Sequence, residues 1–300
     1  MIKLVRLLSE NKILKVILTL ITFLLLVSCK KGVFEPEGYI AASQQKLMII
    51  SFLVMIAVAI PVFIMAFIFA YKYSEKNPNS SKTYDPTFNH STTLEIVWWG
   101  IPIVIVIFLS ILTWITSHTL DPKKRLDLDI SQGKQAIIIE AVALDWKWLF
   151  IYPEQGIATI NYIQVPENTE IIFKITADAP MNGLWIPQLG GMIYAMAGME
   201  TNLHLIANKQ GIYAGSSSNY SGFGFSGMKF NTVVVDDASF NDWVKTVKAS
   251  NNPLTNNIYG ELEKQTMNEP VKLYSSVPNN LFSNILNKYM AHIKVSHNTH

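Results

Sequence analysis

Two long apolar runs mark the first part of the chain. Residues 48–70 contain no charged side chain, and residues 96–116 form a second uncharged run. Each is about as long as the roughly 20 residues that an α-helix needs to cross the hydrocarbon core of a bilayer. Pro61 and Pro102 lie within these runs, where neighbouring helices can satisfy the carbonyl that a proline leaves unpaired. The pattern predicts a hairpin of two transmembrane helices.

A shorter apolar run, residues 16–27, lies before the hairpin and follows a basic segment. Its length is typical of a secretory signal peptide rather than of a membrane span. Residues 26–29 (Leu-Val-Ser-Cys) are similar to a bacterial lipobox, in which the signal peptidase cuts just before the cysteine. We therefore predict a signal peptide over residues 1–28 and lipidation of Cys29. An uncleaved signal anchor with an unmodified cysteine is the alternative.

These assignments predict the topology. A lipidated Cys29 lies on the outer side of the membrane, so the first span leads into the cytoplasm and the second leads out again. The loop of residues 71–95 is then cytoplasmic, and residues 117–300 are periplasmic. The transmembrane unit comprises residues 29–117.

Beyond the second span the hydrophobic pattern changes to short runs rich in Ile, Val, Phe and Trp, with turn residues between them. No helical periodicity lies between these runs, which favours an antiparallel β domain over a parallel sheet. The predicted domain covers residues 118–238. The runs are Ala136–Trp148, Ile160–Val165, Glu170–Thr176, Thr201–Ile206 and Lys229–Val235.

The last part of the chain, residues 239–300, returns to helical spacing. A helix is predicted to begin at Ser239, with that residue as the N-cap and Asp242 in the first turn. A polar connector, Asn251–Asn257, follows. The apolar residues of Leu281–Lys294 recur at helical spacing and predict a second amphipathic helix, packed on the sandwich or on a neighbouring subunit.

Composition narrows the function. Half of the residues are hydrophobic and 15% are charged, below the roughly 25% that is typical of soluble domains. A net charge of +2 is too small for a nucleic-acid-binding surface, so no nucleic-acid partner is expected. Cys29 is the only cysteine, which excludes an internal disulfide and a copper centre held by two thiolates. No nucleophile elbow or phosphate loop is present, so the chain alone is expected to catalyse nothing.

One stretch, Tyr213–Met228, combines aromatic residues, glycines and serines (YAGSSSNYSGFGFSGM). Ser217, Ser221, Phe225 and Met228 follow the spacing Cys-x3-Cys-x3-His-x2-Met of a metal-binding loop, but only the methionine is a ligand of that set.

This arrangement resembles the copper-A domain of subunit II of haem-copper respiratory oxidases. In that domain two thiolates, two imidazoles, a thioether and a backbone carbonyl hold a pair of copper ions. The resemblance places the thiolates at Ser217 and Ser221, the imidazoles at Asn182 and Phe225, and the carbonyl at Asn219, with Met228 retained. Hydroxyls, an amide and a phenyl ring cannot replace soft copper ligands. No metal or other cofactor is therefore expected on this chain.

A subunit II without this copper site resembles the quinol oxidases of the cytochrome bo type. Residues 144–148 (LDWKW), 150–159 (FIYPEQGIAT) and 193–199 (IYAMAGM) carry the same resemblance. It implies a membrane α plus all-β fold, with a two-helix transmembrane hairpin, a cupredoxin-like β-sandwich and C-terminal helices. It also implies a non-redox role, in which this chain supports and caps subunit I of a proton-pumping ubiquinol oxidase that reduces oxygen to water.

The resemblance places the cofactors in the partner. Haem b, haem o or haem a, and copper B are expected in subunit I, with ubiquinol as the substrate of the complex. Further subunits and membrane lipid are expected partners, whereas cytochrome c is not. The implied location is the bacterial inner membrane, with a lipid anchor and a large periplasmic C-terminal domain.

Two residues have alternative roles. Glu95 lies at the start of the second span, where the resemblance implies the entrance of a proton pathway into subunit I. A solvated charge that the helix dipole favours is the simpler interpretation. Trp146 matches the tryptophan that passes electrons from cytochrome c to copper in copper-bearing relatives. Without copper behind it, packing is its favoured role.

Two other functions stay open at this stage. The first is a free-standing copper-binding lipoprotein that uses thioether sulfurs, which Cu(I) prefers, although methionine usually fills space in a β domain. Its ligands would be Met192, Met196, Met199 and Met228, with His204 as a fifth. The second is a cytochrome c oxidase subunit with a degenerate copper site, which would still turn over reduced cytochrome c.

Overall fold

The computed structural model describes residues 32–74, 89–126, 130–131 and 133–297. Within them two helices are long and apolar enough to cross a membrane, α1 (Tyr39–Lys72) and α2 (Thr92–Thr119). Most of their side chains are exposed, as expected for surfaces that face lipid or another subunit. The predicted pair of apolar helices is confirmed. Cys29 and the predicted signal peptide lie outside the described residues.

The β domain is a sandwich of two sheets. The strands are β1 (Ile137–Leu144), β2 (Lys147–Tyr152), β3 (Ile157–Ile160), β4 (Tyr162–Pro166), β5 (Glu170–Ala177), β6 (Asn182–Trp185), β7 (Ile193–Ala195), β8 (Thr201–Ile206), β9 (Gly211–Ser217), β10 (Lys229–Val235) and β11 (Lys272–Tyr274). One sheet has the order β11-β3-β2-β1-β5-β8, and the other has the order β4-β10-β9-β6-β7.

Two of the predicted runs contain a break. The run Ala136–Trp148 is not one strand, because the chain turns at Asp145 and Trp146 and pairs β1 with β2 as a hairpin. The run Ile160–Val165 is interrupted by Asn161, whose φ of 55° is left-handed. Asparagine tolerates that conformation better than most residues, so the chain changes sheets between β3 and β4. The other three predicted runs are confirmed as β5, β8 and β10.

The purely antiparallel prediction is wrong at two places. β1 pairs with β5 in parallel, and β4 pairs with β10 in parallel. Both pairings join strands that are distant in sequence, so no local periodicity reports them. The remaining pairings between strands are antiparallel.

The six-stranded sheet has a hydrophobic core on each face. Strand β2 shows how the sequence builds both, because successive side chains of a strand point to opposite faces. Trp148 and Phe150 lie in the first core, between the two sheets. Leu149 and Ile151 lie in the second core, which the C-terminal part of the chain covers.

The C-terminal part forms three helices, α3 (Asp237–Ala249), α4 (Asn256–Leu262) and α5 (Leu281–His297). Ser239 is not the N-cap of α3. Asp236 caps it, because its carboxylate accepts hydrogen bonds from the backbone N–H and the hydroxyl of Ser239, both at 2.8 Å. Helix α4 begins inside the predicted connector, and α5 packs on the sandwich through buried residues such as Phe282 and Ile285.

Both ends of the helical hairpin are attached to the sandwich beside strand β8. Before α1, the backbone carbonyl of Glu37 accepts a hydrogen bond of 2.9 Å from the N–H of Asn208, which follows β8. Gly38 packs so closely on Ile206 O that a Cβ would not fit. After α2, the carbonyl of Pro122 accepts a hydrogen bond of 3.1 Å from the N–H of His204. The end of α1 at Lys72 and the start of α2 at Thr92 therefore lie away from the sandwich.

Candidate functional site

The segment that resembles a metal loop, residues 217–228, is called the serine loop below. It begins at the last residue of β9, passes through a short 3-10 turn at Phe225–Gly227 and returns to β10. The N–H of Ser217 donates to the carbonyl of Met228 at 3.1 Å, which closes the loop. Asn182 begins β6, which pairs with β9. Sequence-predicted positions from three elements therefore meet at one end of the five-stranded sheet.

The polar side chains at this meeting point bind each other. The hydroxyl of Ser217 donates to Oδ1 of Asn182 at 2.8 Å, and Nδ2 of Asn182 donates to the carbonyl of Pro180 at 2.7 Å. Both Asn182 and Ser217 are buried. These two side chains thus have protein partners, as buried polar groups usually do.

The other predicted positions point to different partners. Nδ2 of Asn219 donates to the carbonyl of Met181 at 2.9 Å. The ring of Phe225 packs edge-to-face on Tyr220, with 5.8 Å between centroids. The hydroxyl of Ser221 is buried and has no hydrogen-bond partner among the described residues. Met228 is fully buried in the first core.

This set of donors does not fit a copper pair. The hydroxyl and the amide that occupy two of the ligand positions are engaged with each other, and the phenyl ring of Phe225 has no lone pair to donate. A delocalised copper pair needs thiolate and imidazole ligands, so a single thioether at Met228 leaves the site without the required chemistry.

Trp146 packs against the serine loop. Its Nε1 donates to the carbonyl of Ser221 at 3.2 Å, and its ring lies so close to Gly224 that a Cβ there would not fit. Trp146 occupies the β1–β2 turn with a φ of 63°, which is rare for a bulky side chain. Sequence reasoning assigned this residue to packing but could not anticipate its left-handed backbone.

His204 and Met228, two of the ligands of the copper-lipoprotein alternative, lie in different sheets. That histidine lies on β8 in the six-stranded sheet, where its Nδ1 is 2.8 Å from Oε1 of Glu170. Met228 precedes β10 in the other sheet. The five predicted ligands are therefore not brought together.

Comparison with known proteins assigns the family. The family described as COX Aromatic Rich Motif matches residues 248–292. The cytochrome bo(3) ubiquinol oxidase subunit 2 of Pseudomonas aeruginosa is 46% identical over 275 residues, which cover 92% of this chain and 81% of that protein. The chain belongs to the ubiquinol oxidase subunit 2 family.

A second relative supports the same assignment. The ubiquinol oxidase subunit 2 of Acetobacter aceti is 43% identical over 266 residues, or 89% of this chain and 85% of that protein. Among solved structures, the periplasmic domain of subunit II of cytochrome oxidase (CoxB) of Bradyrhizobium japonicum aligns with 39% of this chain and 96% of its own length, at 26% identity and a TM-score of 0.37. The structure itself confirms the predicted architecture of two long apolar helices, a β-sandwich and C-terminal helices.

The aromatic-rich motif takes part in a second polar cluster, which sequence reasoning missed. Asp178 follows β5, and only 1% of its side chain is exposed. Its carboxylate accepts hydrogen bonds from the Tyr259 hydroxyl at 2.6 Å, the Tyr289 hydroxyl at 2.5 Å and the Lys288 ammonium at 2.8 Å. Lys288 also donates to Glu263 at 2.9 Å. We call these five residues the Asp178 clasp.

The clasp shifts the pKa values of its residues. Burial would raise the pKa of Asp178, but the hydrogen bonds from Lys288, Tyr259 and Tyr289 outweigh it and hold that pKa below its usual value. Burial, together with the hydrogen bond to Asp178, raises the pKa of Tyr289 to about 12. The clasp therefore holds an ionised carboxylate and two neutral phenols at neutral pH.

Lys147 forms another contact with the motif. Its side chain is buried, and Nζ donates to the carbonyls of Leu262 and Lys264, at 2.8 and 2.7 Å, at the end of α4. A cation at a helix C-terminus satisfies carbonyls that lack a partner within the helix. Burial lowers the pKa of Lys147, and the carboxylates of Glu269 and Asp145 partly oppose that change.

Glu95 lies apart from both clusters, in the first turn of α2. Its Oε1 is 3.1 Å from Nδ1 of His90, and both side chains are exposed. Ser91 caps the helix by accepting a hydrogen bond from the N–H of Leu94 at 3.5 Å.

Proposed function

We propose that this chain is the non-redox subunit II of a proton-pumping terminal ubiquinol oxidase, which couples quinol oxidation to the reduction of oxygen to water. Its similarity to a ubiquinol oxidase subunit 2 extends over 92% of the chain. The observation that carries the non-redox role is the hydrogen bond between Ser217 and Asn182. Polar groups that satisfy each other, at positions where copper ligands would lie, give electrons no centre through which to enter.

In this proposal the redox chemistry belongs to subunit I. That partner holds haem b, haem o or haem a, and copper B, and it receives electrons from ubiquinol. α1 and α2 anchor this chain beside it in the bacterial inner membrane, and the sandwich covers its periplasmic face. The largely exposed side chains of both helices support this arrangement, because a surface so apolar is suited to lipid or to another membrane helix.

The test is made on the assembled oxidase. We expect it to oxidise ubiquinol and to leave reduced cytochrome c untouched, with copper present only in the amount that copper B requires. Turnover of cytochrome c, or additional copper with the near-infrared absorption of a mixed-valence pair, would contradict the proposal. Metal analysis and the two substrate assays on one preparation make the comparison direct.

Glu95 is proposed as the entrance of a proton pathway. It lies at the end of α2 opposite to Thr119, from which the chain continues into the β domain, so the predicted topology places Glu95 at the cytoplasmic surface. An exposed carboxylate beside an imidazole can exchange protons with water.

Replacing Glu95 by Gln keeps the size of the side chain and removes the exchangeable proton. We expect proton uptake and quinol oxidation by the assembled oxidase to fall by about tenfold or more. The matched control is Glu261→Gln, which changes an exposed glutamate of helix α4. Equal turnover in the two variants would exclude the proton-entrance role and leave Glu95 as a solvated charge.

Lipid anchoring at Cys29 is proposed from the lipobox sequence. Mass spectrometry of the mature subunit is expected to find an N-terminus at Cys29 that carries acyl chains. Retention of residues 1–28 would contradict this. Cys29→Ser is expected to leave the oxidase assembled, because two membrane helices hold the chain far more firmly than acyl chains do.

A further inference from the structure

We infer that the aromatic-rich motif, residues 248–292, keeps the serine loop in its folded conformation. A bound metal would order the loop in the same way in a copper-binding relative. The inference rests on the proposed function in one respect, namely that the loop holds no copper. A metal cross-links the elements that supply its ligands and thereby orders them. The motif reaches the same elements from outside the loop, through three separate contacts.

The first contact is the Asp178 clasp. Tyr259 and Tyr289 of the motif bind Asp178, which lies just before the segment 179–182. The backbone N–H of Asp178 also donates to Ala143 at 2.9 Å, so the residue is fixed to β1 as well. Asn182, at the far end of this short segment, accepts the hydrogen bond from Ser217. The clasp thus fixes one end of the segment that supports the serine loop.

The second contact is made directly with the loop. Oδ1 of Asn268 of the motif lies so close to Gly227 that a Cβ on Gly227 would force the asparagine side chain to move. Gly227 precedes Met228, whose carbonyl closes the loop. The neighbour of Asn268 is itself held, because the carbonyl of Glu269 accepts a hydrogen bond of 2.8 Å from Asn161.

The third contact passes through Lys147. Its ammonium group binds two carbonyls at the end of α4, within the motif. The preceding residue is Trp146, whose indole N–H binds the carbonyl of Ser221 and whose ring covers Gly224. Docking of the motif therefore fixes the turn that carries the tryptophan, and the tryptophan fixes the middle of the serine loop.

The three contacts fix the support, the end and the middle of the loop. Ordering a loop costs conformational entropy for each residue, and the few neutral hydrogen bonds inside the serine loop offset only part of that cost. The clasp adds charge-assisted bonds, which are roughly twice as strong as neutral ones. We therefore assign the motif the function of positioning the serine loop.

Hydrogen exchange in the assembled oxidase tests this assignment. Asp178→Asn removes the charge that Lys288 and the tyrosines bind, and Tyr289→Phe removes one donor with less risk to folding. We expect exchange of the Ser217 and Met228 amides to become about tenfold faster in the first variant and to rise to a smaller extent in the second. The matched control is Val247→Ala, which weakens the first core outside the motif.

The comparison is made at equal loss of thermal stability. If Asp178→Asn and Tyr289→Phe accelerate exchange only within residues 248–292, or accelerate the serine loop no more than Val247→Ala does, the motif merely stabilises its own core and the inference fails. Faster amide exchange in the serine loop together with unchanged exchange in residues 248–292 would also contradict the inference. Amide exchange in the loop is measured without enzyme turnover. Its outcome therefore tests this inference alone, whereas oxidation of cytochrome c would contradict the proposed function.

Discussion

The serine loop and the Asp178 clasp belong to the same sandwich, but different kinds of interaction hold them together. The loop contains neutral hydrogen bonds, glycines and two aromatic side chains, Tyr220 and Phe223, that are 75% and 84% exposed. The clasp contains a buried carboxylate with three donors. A neutral hydrogen bond contributes about 0.5 to 1.5 kcal/mol, and one to a charged group about 1.5 to 3 kcal/mol. From this difference we expect the clasp to contribute more than the loop to order at this end of the domain.

The largest change is expected when the ligand chemistry is restored to the loop. The substitutions are Asn182→His, Ser217→Cys, Asn219→Glu, Ser221→Cys and Phe225→His. Because β6, β9 and the end of the serine loop already bring Asn182, Ser217 and Met228 together, we expect the variant to bind copper and to show near-infrared absorption. Copper should then order the loop by itself and remove most of the effect of Asp178→Asn on loop exchange.

The control for that experiment keeps Ser217 and makes the other four changes, so that only one thiolate is present. It should bind no copper pair. A complete ligand set that fails to hold copper would show that the loop has lost the metal-binding shape as well as the ligands.

The next largest effect is expected at the clasp. Asp178→Asn should lower the free energy of unfolding of the subunit by about 2 to 3 kcal/mol, below the usual cost of breaking a buried pair because 48% of the Lys288 side chain is exposed. Denaturant unfolding of the full-length subunit in detergent measures this. Glu261→Gln, in an exposed pair of the same motif, should change it by less than about 0.5 kcal/mol. A similar loss in both variants would refute the special role of the clasp.

The clasp also predicts a dependence on pH. The pKa of Tyr289 is raised from 10.0 to about 12, so its stabilising contribution is complete below pH 10.0 and is lost as the pH rises through about 12. Asp178 acts at the other end of the scale. Its pKa is lowered, so its contribution is present above about pH 4 and is lost as the pH falls below that value.

Thermal unfolding as a function of pH checks both limbs. Tyr289→Phe should flatten the alkaline limb without removing it, because burial raises the pKa of Tyr213 to about 12 as well. Asp178→Asn should flatten the acid limb. A limb that keeps its slope in the corresponding variant would show that other groups cause it.

The smallest effect is expected inside the serine loop. Ser217→Ala leaves Oδ1 of Asn182 without its 2.8 Å donor and should cost about 1 kcal/mol. Quinol oxidation should stay unchanged, since the hydroxyl takes no part in electron transfer. A loss as large as that of Asp178→Asn would reverse the comparison between loop and clasp.

The parts of the molecule that the sequence predicted are those with local signals. The helices α1 and α2 follow from uncharged runs, and β5, β8 and β10 follow from short apolar runs. The loss of the copper ligands could also be predicted, because it depends only on residue type and spacing. Ser239 and Asp236 are both good caps, so the start of α3 could not be decided without the backbone.

The clasp could not be predicted in this way. Tyr259 and Tyr289 lie 81 and 111 residues from Asp178, and Lys147 lies 115 residues from the carbonyl of Leu262. No periodic pattern reports such pairs. Trp146 adds a different difficulty, because nothing about a tryptophan suggests a left-handed φ. Its indole contact with the loop stabilises a conformation that the local sequence disfavours.

The two attachments of the hairpin beside β8 have a mechanical consequence. A domain tethered by one flexible linker can reorient freely, whereas a rigid body held at two points keeps only rotation about the line that joins them. Glu37 supplies one point directly before α1, and Pro122 supplies the other shortly after α2. The sandwich therefore keeps a fixed azimuth relative to α1 and α2, and the reorientation left to it is rotation about the line through these two points.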